Sequence, residues 1–116
     1  MVICVDFDDF LFTNKYPNVG KPIKKNIGYV LKLQEAGARL ILWTCRDGKP
    51  LKLAMKACER QGIKFVAVND DDPILKANWK EGQSRKVFAD YYLDDKNLFK
   101  RKKVIKTLRK QKGVER

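Results

Sequence analysis

Apolar runs and helical stripes alternate along this chain of 116 residues. The first run, Val2-Ile3-Cys4-Val5, is unbroken and largely β-branched, which fits a strand buried on both faces. It leads directly into Asp6, Asp8 and Asp9. Residues 10–22 carry no helical period. Pro17, Asn18 and Gly20 are turn signals there, so a partly ordered loop or small hairpin is expected as a flap over the strand end. Residues 23–36 predict a helix, with Ile23, Ile27, Val30 and Leu31 on one stripe and Gly37 as its stop. Ala38 to Cys45 predicts a second strand and residues 46–50 a turn. Leu51, Ala54, Met55, Cys58 and Gly62 then mark a second helix. Lys64 to Asn69 predicts a third strand, closing in Asp70-Asp71-Asp72-Pro73, which reads as a solvated turn. Residues 74–86 predict a loop with one helical turn around Ile74 to Trp79. A fourth strand spans Val87 to Leu93 and ends in Asp94-Asp95. The tail, residues 97–116, predicts a basic helix over 97–111.

Strands and helices that alternate with short connections predict a single α/β domain over residues 1–116, with a mainly parallel sheet flanked by helices. Parallel strands present their C-terminal ends at one edge, where open α/β sheets bind ligands. That edge should gather Asp6 and Asp8, then Thr44, then Asp94 and Asp95, with Asn69 and Arg46 close enough to touch a substrate. Asp6 and Asp8, two apart, leave the same face if the strand stays extended. Carboxylates so close repel unless a cation sits between them, and a hard divalent ion with oxygen ligands fits.

The charge balance narrows the partners. Against 14 acidic residues stand 26 basic ones, a net charge of +12, which favours anionic partners such as nucleotides, nucleic acid or phosphorylated metabolites. Residues 96–116 hold ten Lys/Arg against Glu115 alone, so nucleic acid is a candidate partner of the tail helix. The chain has no histidine, which excludes His-dependent triads and leaves proton transfer to carboxylates, lysine, tyrosine, cysteine or metal-bound water. Cys4, Cys45 and Cys58 form no CxxC pair and read as buried free thiols of a reducing cytosol. No apolar run approaches the ~20 residues that span a bilayer, and no leader precedes the first strand, so a cytoplasmic protein with no membrane partner is expected.

Carboxylates, a hydroxyl and a lysine around one crevice suit phosphoryl transfer, in which one carboxylate attacks phosphorus and another moves the proton. On these motifs the sequence resembles the haloacid dehalogenase (HAD) superfamily of phosphohydrolases. Its first motif, an apolar strand followed by DxD, stands as Val2-Ile3-Cys4-Val5-Asp6-Phe7-Asp8. The second, a strand ending in Thr or Ser, stands as Leu40-Ile41-Leu42-Trp43-Thr44. The fourth, an acidic pair, stands as Tyr91-Tyr92-Leu93-Asp94-Asp95. For the third, a lone basic residue, Lys86 is chosen, with Lys76 and Lys80 as competitors.

The resemblance implies a three-layer Rossmann-like fold in a small member without a cap. It also implies a Mg²⁺-dependent phosphomonoesterase acting through an aspartyl-phosphate. Asp6 would be the nucleophile and Asp8 the proton shuttle. Thr44 and Lys86 would bind phosphoryl oxygens, and Asp6, Asp8 through its backbone carbonyl, Asp94 and Asp95 would hold the metal. The sequence departs from the family's DxDGT at Asp9-Phe10, and Phe10 is expected to narrow the pocket. The alternative is a catalytically weak nucleic-acid-binding protein on the same fold, using the basic C-terminal helix. A phosphorelay receiver fits poorly, because Thr44 follows strand two and strand four ends in Asp94-Asp95. An acid-cluster nuclease would leave Thr44 without a part.

Overall fold

In a computed structural model of the chain, residues 1–74, 87 and 89–94 are described. Strand β1 covers Val2–Asp6, and the segment after it forms a hairpin from β2 (Phe12–Lys15) and β3 (Asn18–Pro22). Then come helix α1 (Lys24–Glu35), β4 (Arg39–Trp43), helix α2 (Gly48–Arg60), β5 (Phe65–Val68) and β6 (Tyr91–Leu93). Strands β5, β4, β1 and β6 form, in that order, a four-stranded sheet in which every pairing is parallel. The chain is therefore α/β, with a parallel sheet.

One face of the sheet carries Ile3, Val5, Leu40, Leu42 and Leu93. They pack in one cluster with Ile27, Val30 and Leu33 of α1 and with Ala54, Ala57 and Cys58 of α2. Phe7, Phe10, Leu11 and Phe12 join the same cluster and root the hairpin in it, with the Phe7 and Phe12 rings stacked at 5.2 Å. The opposite face carries a second buried cluster of Val2, Cys4, Ile41 and Val87. Burial on both faces is why β1 reads as an unbroken apolar run.

Both helices stop at the expected glycines. Gly37 (φ 99) and Gly62 (φ 84) adopt the left-handed conformation that a Cβ disfavours. In each, the next residue's N–H reaches back to the helix, Ala38 to the Leu33 carbonyl and Ile63 to the Cys58 carbonyl.

Three expectations need correction. Helix α2 begins at Gly48 and not Leu51, because Pro50 lies in the first turn, where its missing N–H has no intrahelical partner to lose. Strand β6 is only Tyr91–Leu93. Ahead of it, Asp90 exchanges bonds with the Val2 backbone: its carboxylate accepts the Val2 N–H at 2.8 Å, and its own N–H donates to the Val2 carbonyl at 2.7 Å. The acidic turn is only partly solvated: Asp70 is exposed. Asp71 and Asp72 are buried, and Asp72 pairs with the Arg39 guanidinium, which holds its carboxyl below the usual carboxylate range. An aspartate this buried needs such a partner, and none is visible from its local sequence.

Candidate functional site

The C-terminal ends of the parallel strands frame a cavity of about 420 Å³. Asp6 from the end of β1, Thr44 after β4, Asn69 after β5 and Asp94 after β6 all line it. The register explains the convergence: Asp6 lies opposite Trp43, and Val5 lies opposite Leu93, so Thr44 and Asp94 each follow a strand paired to β1. Asp95, Lys86, Lys76 and Lys80 lie outside the described residues, as does the tail over which a basic helix is expected.

Thr44 is held from three directions. The Asn69 side chain accepts the Thr44 N–H at 2.8 Å and donates to the Thr44 carbonyl at 2.7 Å. The Thr44 hydroxyl accepts the Arg46 N–H at 3.1 Å, which leaves its own proton for an acceptor in the cavity. Asn69 itself sits at φ 50, a left-handed conformation that asparagine tolerates better than most residues. The expected role of Asn69 against a substrate is thus corrected: its amide is spent on the backbone of Thr44, clamping the end of β4 to the end of β5.

Arg46 is also not the substrate contact that the sequence suggested. Its side chain is only 1% exposed, and all five of its N–H groups have acceptors within the protein. Nε and Nη2 donate to the two Asp8 carboxylate oxygens at 3.0 and 2.8 Å. Nη2 also donates to the Asn18 carbonyl at 2.8 Å, and Nη1 to the carbonyls of Pro17 and Pro50 at 3.1 and 3.3 Å. The guanidinium lies over Phe7 and Tyr16, 4.8 and 5.3 Å from the ring centroids. One side chain therefore ties Asp8, the hairpin and the first turn of α2 together. A bidentate fork of this kind is specific to arginine.

This pairing turns the Asp8 carboxylate toward Arg46, and Asp8 is not among the residues lining the cavity. The two N-terminal aspartates thus have different surroundings. Asp6 accepts the Phe7 N–H at 2.9 Å and faces the cavity with Asp94. Asp9 adopts φ 62, where a glycine would be at ease. Its N–H donates to the Phe12 carbonyl at 2.8 Å, and its carboxylate accepts the Asn14 N–H at 3.1 Å. Phe10 does not narrow the cavity: it is fully buried in the core beside α1, where Asn26 donates to its carbonyl at 2.8 Å.

Among the described residues, no group of three His, Cys, Asp or Glu stands close enough to hold a metal ion. The cavity does offer two carboxylates, Asp6 and Asp94. Hard oxygen donors of this number suit Mg²⁺, which keeps several waters and is commonly bound by one or two carboxylates plus substrate phosphate. No helix among the described residues is long and apolar enough to cross a membrane. Of the thiols, Cys4 and Cys58 are buried as expected, whereas Cys45, next to Thr44, is exposed.

Trp43, Tyr92 and Cys45 also line the cavity and remain open to solvent, although no sequence pattern assigned them a role there. The available signal was position: Trp43 is the last residue of a buried strand, immediately before Thr44.

No family model matches the chain, and no curated protein matches it. Among solved structures, it is similar to a conserved protein coded by a locus of Bacteroides thetaiotaomicron. The two are 32% identical, with a TM-score of 0.74, and the match covers 96% of this chain and 91% of the other.

Proposed function

The chain belongs to the family of that Bacteroides thetaiotaomicron protein, and we propose that it is a Mg²⁺-dependent phosphohydrolase of the haloacid dehalogenase type. The observation that carries this reading is that Asp6, Thr44 and Asp94, far apart in sequence, line one cavity at the carboxyl ends of parallel strands. The buried Val2, Cys4 and Ile41 on the second face of the sheet favour the three-layer arrangement of that superfamily.

Asp6 attacks the phosphorus of a phosphomonoester through a carboxylate oxygen, and the bond from phosphorus to the leaving oxygen breaks. The Thr44 hydroxyl donates to a phosphoryl oxygen, and Asn69 keeps it in place. Asp8 supplies the proton that the leaving oxygen takes up. It does so in its protonated form, turned away from Arg46, since at rest both oxygens accept from the guanidinium and carry no proton to give. A water molecule then gives its proton back to Asp8 as it attacks the aspartyl-phosphate, releasing inorganic phosphate and free Asp6. Asp6 and Asp94, with Asp95 beyond the described residues, would hold Mg²⁺, which neutralises charge on the carboxylates and the phosphoryl group together. Lys86 is proposed as the basic residue that restrains the phosphoryl oxygens.

The test is phosphate release from an aryl phosphate with and without Mg²⁺. The expected result is metal-dependent turnover that Asp6→Asn lowers by about a thousandfold or more. Turnover that survives Asp6→Asn, or its absence with every phosphate ester tried, counts against the assignment.

A further inference from the structure

Two large aromatic side chains at the candidate site are nearly half exposed. Trp43 is 44% and Tyr92 46% exposed, and both line the cavity that holds Asp6 and Asp94. Their strand neighbours Leu42 and Leu93 are almost completely buried. Trp43 lies opposite Asp6 and Tyr92 opposite Cys4. Cys4 and Asp6 are two apart on β1, so all four belong to the same face of the sheet. Strand β1 runs between β4 and β6. The two rings therefore rise from strands ~10 Å apart, on either side of β1.

With that spacing across the sheet and a two-residue offset along it, the two positions stand ~12 Å apart, room for one flat ring lying obliquely between them, since stacked rings lie with centroids ~4.5–7 Å apart. The Tyr92 hydroxyl donates to the Val87 carbonyl at 2.6 Å, which fixes that ring. The floor is Cys4, a buried thiol between the two aromatic positions. The cavity thus has an apolar half with aromatic walls and an acidic half with Asp6, Asp94 and the Thr44 hydroxyl. Its volume of about 420 Å³ lies in the range of small-molecule sites.

We propose that the substrate is a nucleoside monophosphate, its base held between Trp43 and Tyr92 and its phosphate at Asp6. The phosphate end of this proposal rests on the phosphohydrolase reading; the ring slot does not. A free nucleotide and the phosphorylated end of a strand present the same base and phosphate.

The experiment uses the full chain carrying Asp6→Asn, so that ligands bind without turnover. Calorimetric titrations compare adenosine 5′-monophosphate, adenosine, ribose 5-phosphate and a 5′-phosphorylated trinucleotide. Trp43→Ala should weaken the monophosphate and adenosine by about ten- to a hundredfold and leave ribose 5-phosphate unchanged. Trp43→Phe, which keeps a ring, should restore most of the loss, and Tyr92→Leu should act in the same sense as Trp43→Ala. Tighter binding of the trinucleotide than of the monophosphate assigns the slot to a strand end, and equal binding assigns it to the free nucleotide. Ribose 5-phosphate binding as tightly as the monophosphate, or Trp43→Ala weakening both alike, overturns the proposal. Trp43-dependent adenosine binding in a protein that turns over no phosphate ester would sink the phosphohydrolase reading and leave the ring slot standing.

Discussion

Replacing Arg46 by methionine tests the clamp on which the hairpin and Asp8 both depend. Methionine keeps much of the length and the contact with Phe7 and Tyr16 but removes every donor. Asp8 would lose both guanidinium bonds, and the carbonyls of Pro17, Asn18 and Pro50 would lose theirs. Removing one partner of a buried ion pair costs roughly 3–5 kcal/mol. The Asp8 side chain is 25% exposed, so water recovers part of that cost and the lower end, about 3 kcal/mol, applies. For a chain of this size the loss corresponds to a fall in Tm of roughly 10 °C. Urea unfolding followed by circular dichroism measures it directly.

Two controls sharpen the reasoning. The deficit should persist in 0.5 M salt, because a pair whose cation is buried is screened much less than a surface pair. Combining Arg46→Met with Asp8→Ala should cost at least about 1 kcal/mol less than the sum of the single substitutions, because the stranded carboxylate is gone. Arg46→Lys should recover only part of the stability, since an ammonium cannot reproduce the fork. A loss below about 0.5 kcal/mol for Arg46→Met, the size of an ordinary surface substitution, would refute the clamp.

Two further predictions concern titration. The Asp72 carboxyl is held below the ordinary aspartate value, first by its hydrogen bond from Arg39. Its contribution to stability is therefore complete above the unfolded value of about 3.9 and is lost as the pH falls through the folded one. Asp72→Asn should lower stability at neutral pH and flatten the acid limb of a stability–pH curve; an unchanged limb contradicts the pairing. Burial pushes the Cys58 thiol up to about 12 and, with a smaller contribution from Asp71, the Cys4 thiol up to about 11. Stability linked to them is present below the unfolded value of about 8.5 and declines as the pH rises above it toward the folded values. Iodoacetamide at pH 8 should modify Cys45 first, with Cys4 and Cys58 protected until unfolding, as mass spectrometry of the labelled peptides would show. Early labelling of Cys58 would contradict its burial.

Much of this architecture is legible in the residues alone, because it follows from local periodicity. The β-branched run at Val2, the stripe through Ile27 and Val30, and the glycines at 37 and 62 each specify an element without reference to any other. Parallel strand order then forces the ends after Asp6, Trp43 and Leu93 to one edge. The sequence could therefore anticipate which polar residues converge there.

What it could not supply were the partners of those residues. Arg46 looks like any exposed arginine beside a site, and only folding of the hairpin and α2 around it shows its donors to be committed. Asn69 spends its amide on Thr44, Asp72 hides beneath Arg39, and Trp43 stands open where a tryptophan would ordinarily be buried. Hydrogen bonds and ion pairs between distant segments depend on orientations set by packing, which no periodicity encodes. The chain's own pattern determined which elements form and which edge carries the acids; the tertiary structure decided which of those side chains face the cavity and which hold its walls.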